Sequence, residues 1–189
     1  MAEETLIDNL TRGHQFDGGP FALDLYRLLG MVLSDKQIAA LGDEDAYSLP
    51  SVWQLQGRFR KPELLRILIS SAVALRILLD HERDPRIDRW FKRISEKRCG
   101  DLWEQWDKRA KTKQTLTLRA ACNKLIHATD VRDDLVISDR RRNPDELGLY
   151  MRPFVYLYGA KDGTKWRAKL SIVDFAINAA SVFVHFMPE

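Results

Sequence analysis

The chain has 189 residues, 45% of them hydrophobic and 30% charged, which suits one full-sized domain with a sizeable core and leaves too little for two independent ones. Its formal charge of +3 hides an asymmetry: residues 1–57 carry 3 Lys/Arg against 9 Asp/Glu, residues 58–142 carry 22 against 13, and residues 143–189 balance at 5 against 5. A basic middle attracts polyanions such as RNA, and the acidic N-terminal third can equally neutralise it within the chain.

Residues 1–20 end in "GGP" and read as a flexible lead-in, with an acidic opening "MAEETLIDNL" that has neither a basic n-region nor an apolar h-region. "FALDLYRLLGMVL" predicts a helix, and "DKQIAALG" a second short one. The segment from Pro62 to about Glu82 predicts a buried helix, with Pro62 in its first turn and one polar stripe of Arg66, Ser70, Arg76 and Asp80. Arg66 and Arg76 interrupt the apolar run from Leu64 to Leu79, which argues against a membrane span, so a cytoplasmic protein with no membrane partner is expected. A helix between Pro85 and Gly100 follows, then "DLWEQWDKRAKTKQ" and "TLTLRAACNKLIHA" as one long helix or two.

Beyond Ala128 the pattern changes. "DVRDDLVISDRRRNPDELG" predicts a short strand and a polar loop. "RPFVYLYGAKDGTKWRAKLSI" alternates with period two about Asp162–Gly163, predicting a hairpin over about 153–172 that pairs Leu157 with Ala168 and Val155 with Leu170. Ser171 and Asp174 form a capping box ahead of a final helix. The expected fold is α+β, mostly a helical bundle with a late β-hairpin and a C-terminal helix, residues 21–189 forming a single domain.

Two cysteines, Cys99 and Cys122, are too few for a disulfide framework or a zinc cluster, and the four histidines lack ligand-pair spacing. No metal and no cofactor is expected. The stretch that looks most like chemistry is "RAACNKLIHA" at 119–128. On a wheel of about 100° per residue begun at Leu116, the apolar residues share one arc, and Arg119, Asn123 and His127 stack in a separate stripe. A histidine can take the proton of a ribose 2′-hydroxyl, an arginine can clamp the phosphate, and an asparagine can orient either. On that reading His127 is the general base, Asn123 the orienter, and Arg119 or else Arg76 the clamp. Against Arg76, an ion pair with Asp80 one turn on is the simpler use.

On "CNKLIH" and the helical layout the chain resembles the HEPN superfamily, small helical domains of prokaryotic toxin and defence systems whose signature is Arg, commonly Asn, and then His. The resemblance implies a metal-independent RNA endonuclease acting as a homodimer, with RNA as substrate and an antitoxin or other protein partner. The alternative it leaves open is a non-catalytic interaction module or a subunit of a defence or regulatory complex. The sequence departs from the signature: Cys122 stands where the family's Arg belongs, and Arg119 lies further upstream.

The hairpin offers a second set of residues. Phe154, Tyr156 and Tyr158 stand opposite Ser171, Lys169 and Arg167, and aromatics interleaved with cations can stack bases and hold phosphates, although they also pack against one another as cross-strand pairs. Tyr156, Tyr158, Arg167 and Lys169 of the hairpin, with Lys124 of "RAACNKLIHA", are the candidate substrate-binding residues. Trp103 and Trp106, three apart, are expected to share a helix face that anchors a partner helix or second subunit.

Overall fold

The computed structural model describes residues 16–40, 51–80, 85–106, 112–137 and 149–186. In chain order the elements are α1 (Gly19–Ala40), α2 (Ser51–Asp80), α3 (Pro85–Ser95), β1 (Arg98–Glu104), β2 (Thr112–Thr117), α4 (Leu118–Ile126), β3 (Asp130–Ile137), β4 (Leu149–Lys161), β5 (Thr164–Ser171) and α5 (Ile172–Val184). The strands form one antiparallel sheet in the order β2-β1-β5-β4-β3. The fold is therefore a helical layer on a five-stranded sheet, not a mostly helical bundle with one late hairpin.

The correction has a local cause. "TKQTLT" carries three β-branched threonines and runs as β2, so the helix holding "RAACNKLI" begins only at Leu118, where the Thr117 hydroxyl accepts the Ala120 N–H at 3.3 Å. "RCGDLWE" pairs on both sides, with β2 and β5, rather than ending one helix and beginning another. Gly100 is not a helix stop but part of a bulge in β1. Its φ is +152°, and a Cβ there would fall 2.0 Å from the Lys169 carbonyl oxygen.

The hairpin follows the expected register, with Leu157 opposite Ala168 and Val155 opposite Leu170. Asp162 and Gly163 both take positive φ, as a two-residue turn that matches the strand twist requires. Ser171 caps α5, accepting the Asp174 N–H at 3.3 Å.

Two predicted helices merge into α1, whose inward residues Leu25, Leu28, Val32, Asp35 and Ala39 keep helical spacing. α2 starts eleven residues before Pro62. The proline leaves the Arg58 carbonyl without a helical donor, and both residues are exposed, so water can satisfy it. The core lies between the sheet's inner face (Leu102, Leu116, Val155, Leu157, Ala168, Leu170) and the apolar sides of α1, α2, α4 and α5. No described helix is long and apolar enough to cross a membrane.

One buried charge links three of these elements. Asp35 of α1 is 2% exposed and accepts from the Met151 backbone N–H of β4, from Gln56 Nε2 at 2.6 Å and from Arg60 Nη1 at 3.1 Å. Removing the carboxylate leaves a nearly buried guanidinium and an N–H of the sheet unpartnered, the costly way to break such a pair. Asp35→Ala is expected to lower unfolding free energy by about 3–5 kcal/mol in urea denaturation. A loss under about 1 kcal/mol would show that the tie contributes little.

Candidate nucleic-acid interface

Because side chains alternate along a strand, committing one set of residues to the core places the intervening set on the opposite face of the sheet. That second set forms two rows spanning all five strands. From β2 to β3, one row reads Lys113, Trp103, Arg167, Tyr158, Asp130, and the next reads Thr115, Asp101, Lys169, Tyr156, Arg132. Phe154 and Arg152 continue the face along β4. None of these residues is fully buried, whereas the alternate positions on β4 and β5 include Val155, Leu157, Ala168 and Leu170 at 0% exposure.

The face is organised by cations lying on rings. The Arg167 guanidinium carbon is 4.4 Å from the ring centroids of both Trp106 and Tyr156, 5.5 Å from Trp103 and 5.8 Å from Tyr158. Lys169 Nζ stands 4.1 Å from the Phe154 centroid, and Arg132 lies 5.0 Å from that of Tyr158. The carboxylates on this face are each matched: Asp101 by Arg98 at 2.9 Å and Lys113 at 3.2 Å, Asp130 by Arg132 at 2.7 Å. Arg167 and Lys169 form no ion pair with a described residue. Among the described residues their positive charge is left over.

Trp103 and Trp106 stay together, with ring centroids 6.2 Å apart, but at the end of β1 and on the segment after it rather than along a helix. The Trp106 backbone N–H donates to the Lys165 carbonyl at 3.0 Å, which holds its ring beside β5. Spacing of three residues suggested a helix face. The aromatic alternation that a strand shows was absent from "DLWEQW", so only the sheet pairing reveals that both rings meet Arg167.

Lys124 belongs elsewhere. It sits on α4 with its Nζ 4.2 Å from the ring centroid of Trp166, a core-facing residue, and burial pushes its pKa down. It does not join Tyr156, Tyr158, Arg167 and Lys169, which do share one face.

The Arg–Asn–His stripe is carried by a helix of nine residues. Arg119 and Asn123 lie within it, and His127 is its C-cap, exposed, with its N–H donating to the Asn123 carbonyl at 3.1 Å. Neither the His127 imidazole nor the Asn123 amide hydrogen-bonds a described residue. Arg119 turns away to the end of α2, where its guanidinium pairs with Asp80 and donates to the Leu79 carbonyl at 2.7 Å. Arg76 meets the same Asp80 at 2.7 Å, so both candidate clamps are held by one carboxylate. Eight residues of helical rise separate Arg119 from His127 by about 12 Å. Arg119 borders a cavity of about 310 Å³ with Thr117, Phe91 and Lys92, and neither Asn123 nor His127 lines it. A single chain thus does not bring Arg119 and His127 to one phosphate.

Among the described residues, no three His, Cys, Asp or Glu side chains converge as a metal site. His185 caps α5 with its ring 5.2 Å from that of Trp90, while His14 and His81 lie outside the described residues. No family model, no curated protein and no solved structure matches the chain.

The cysteines are buried as well. Burial pushes the Cys99 thiol up to about 11 and the Cys122 thiol up to about 12, so neither ionises near neutral pH. At pH 8 iodoacetamide is expected to leave both unmodified in the folded protein and to alkylate both in denaturant, read by intact mass. Rapid modification of either in the native state would contradict this burial.

Proposed function

We propose that the protein binds single-stranded RNA across the outer face of its sheet. The observation that carries the reading is the pair of rows in which Trp103, Tyr156 and Tyr158 alternate with Arg167, Lys169 and Arg132, two of these cations having no acidic partner among the described residues. Partly exposed rings can take unstacked bases beside the cations that lie on them, and those cations draw in a polyanion. Phe154, Tyr156 and Tyr158 lie two residues apart along β4, about 7 Å per step, a separation that extended nucleotides can span. A duplex keeps its bases stacked on one another and has no free base face for such rings.

The test is fluorescence anisotropy with a labelled 12-nucleotide RNA. Stacking on an aromatic ring contributes about 1–3 kcal/mol per base, so Tyr156→Ala with Tyr158→Ala is expected to weaken binding at least tenfold while the unfolding midpoint shifts little. With roughly three to four phosphates neutralised, the slope of log K against log salt is expected near −2 to −3. Equal binding by wild type and the double variant, or tighter binding to duplex than to single strands, would remove the reading.

A second reading is metal-independent cleavage centred on His127. It is favoured by the exposed imidazole and by the Asn123 amide one turn before it, both without a hydrogen bond to a described residue. The HEPN resemblance supplies the chemistry: proton removal from a 2′-hydroxyl and a 2′,3′-cyclic product. With Arg119 and Arg76 on Asp80, the phosphate clamp would have to come from another cation or a second copy of the chain. Incubation with RNA in EDTA is expected to give cyclic ends that His127→Ala abolishes. Intact RNA, or equal cleavage by both proteins, would leave the chain a binding protein.

A further inference from the structure

Arg167 is placed unlike any other cation on the face. Four rings surround it, its Nε is buried with no hydrogen-bond partner, and no described residue accepts a bond from its terminal nitrogens. With Nε turned inward, the outer edge of the guanidinium is the fork made by Nη1 and Nη2. A guanidinium held 4.4 Å from the Tyr156 and Trp106 centroids occupies the layer above the sheet that a base stacked on a neighbouring ring would fill. In that layer the fork meets the edge of a base, not the phosphate chain beside it. Two N–H groups in one plane match two adjacent acceptors in one plane: guanine presents O6 and N7 on its Hoogsteen edge, cytosine presents O2 and N3 on the Watson–Crick edge that a single strand leaves open, and guanine adds the larger ring for stacking among the surrounding aromatics.

Resting on the RNA-binding reading above, we infer that Arg167 reads guanine, making the sheet face selective for single strands that contain it. Lys169, a point charge over Phe154 with no fork, contacts phosphate and adds no sequence preference.

The experiment compares wild-type affinity for a uridine 8-mer with that for the same strand carrying two central guanosines, two cytidines, two inosines or two 7-deazaguanosines. Guanosine is expected to bind about tenfold tighter than uridine. Inosine, which keeps O6 and N7, should match guanosine, and 7-deazaguanosine, which lacks the N7 acceptor, should fall back toward uridine. These arms alter only the RNA, so folding of a variant does not enter. Arg167→Lys, which retains the charge without the fork, is expected to bring the guanosine-to-uridine ratio near one. Equal binding of guanosine and 7-deazaguanosine, cytidine bound as tightly as guanosine, or a ratio kept by Arg167→Lys, would overturn the assignment. Tight binding with no base preference would overturn it while leaving RNA binding intact, whereas no binding to any strand would remove both.

Discussion

A sheet covered by helices on one side can hide only every second side chain, and this constraint governs the rest of the molecule. Along β4 and β5 the inward positions are filled by Val155, Leu157, Ala168 and Leu170, all inaccessible to solvent. Among the described residues no second layer covers the outward positions, which are then left to be stable in water. They could have been threonines and paired charges. Instead they are Phe154, Tyr156, Tyr158, Arg167 and Lys169, whose rings and cations cover one another and, among the described residues, leave positive charge in surplus. Cross-strand contacts of this kind stabilise a sheet on their own account. The unmatched charge is what points beyond stability to a polyanion.

Several charges elsewhere in the molecule are paired in ways that tie elements together. Asp35 joins α1, α2 and β4 from inside the core, while Asp80 gathers Arg76 and Arg119 where α2 meets α4. Asp24 and Glu63 share Arg66, whose hydrogen bonds hold both carboxyls below their usual range. Such pairs set how helices approach each other. In this structure both Arg76 and Arg119 are turned to Asp80, and Arg119 also to the Leu79 carbonyl, rather than toward His127.

How much of this could be read beforehand depended on how local each signal was. The hairpin's register was legible, since a DG turn between alternating runs fixes it within about twenty positions, although β4 begins at Leu149 rather than near residue 153. The cap on α5 was equally local, as was the Arg76–Asp80 pair, four residues apart. β1 and β2 were not legible. "DLWEQW" has helix-like spacing of its tryptophans, and "TLTLRAACNKLIHA" reads as one wheel until β2 pairs with β1 and forces the helix to begin at Leu118. The aromatic–cation pairing of β4 and β5 could be anticipated from the hairpin, but the contributions of Trp103, Trp106 and Arg132 required the order of all five strands. A helical wheel stacks Arg119 with His127, since nothing local announces a partner thirty-nine residues away.

The central claim is that RNA lies on the outer face of the sheet, and mapping the contact tests it most directly. Ultraviolet crosslinking of a 4-thiouridine-labelled single strand, followed by peptide mass spectrometry, reports which side chains meet the bases. Crosslinks concentrated on Phe154, Tyr156 and Tyr158 of β4, with Trp103 or Trp106 beside them, are the predicted result. Crosslinks gathered on α4 around Asn123 and His127, with β4 unmodified, would contradict it and move the RNA to the other side of the molecule.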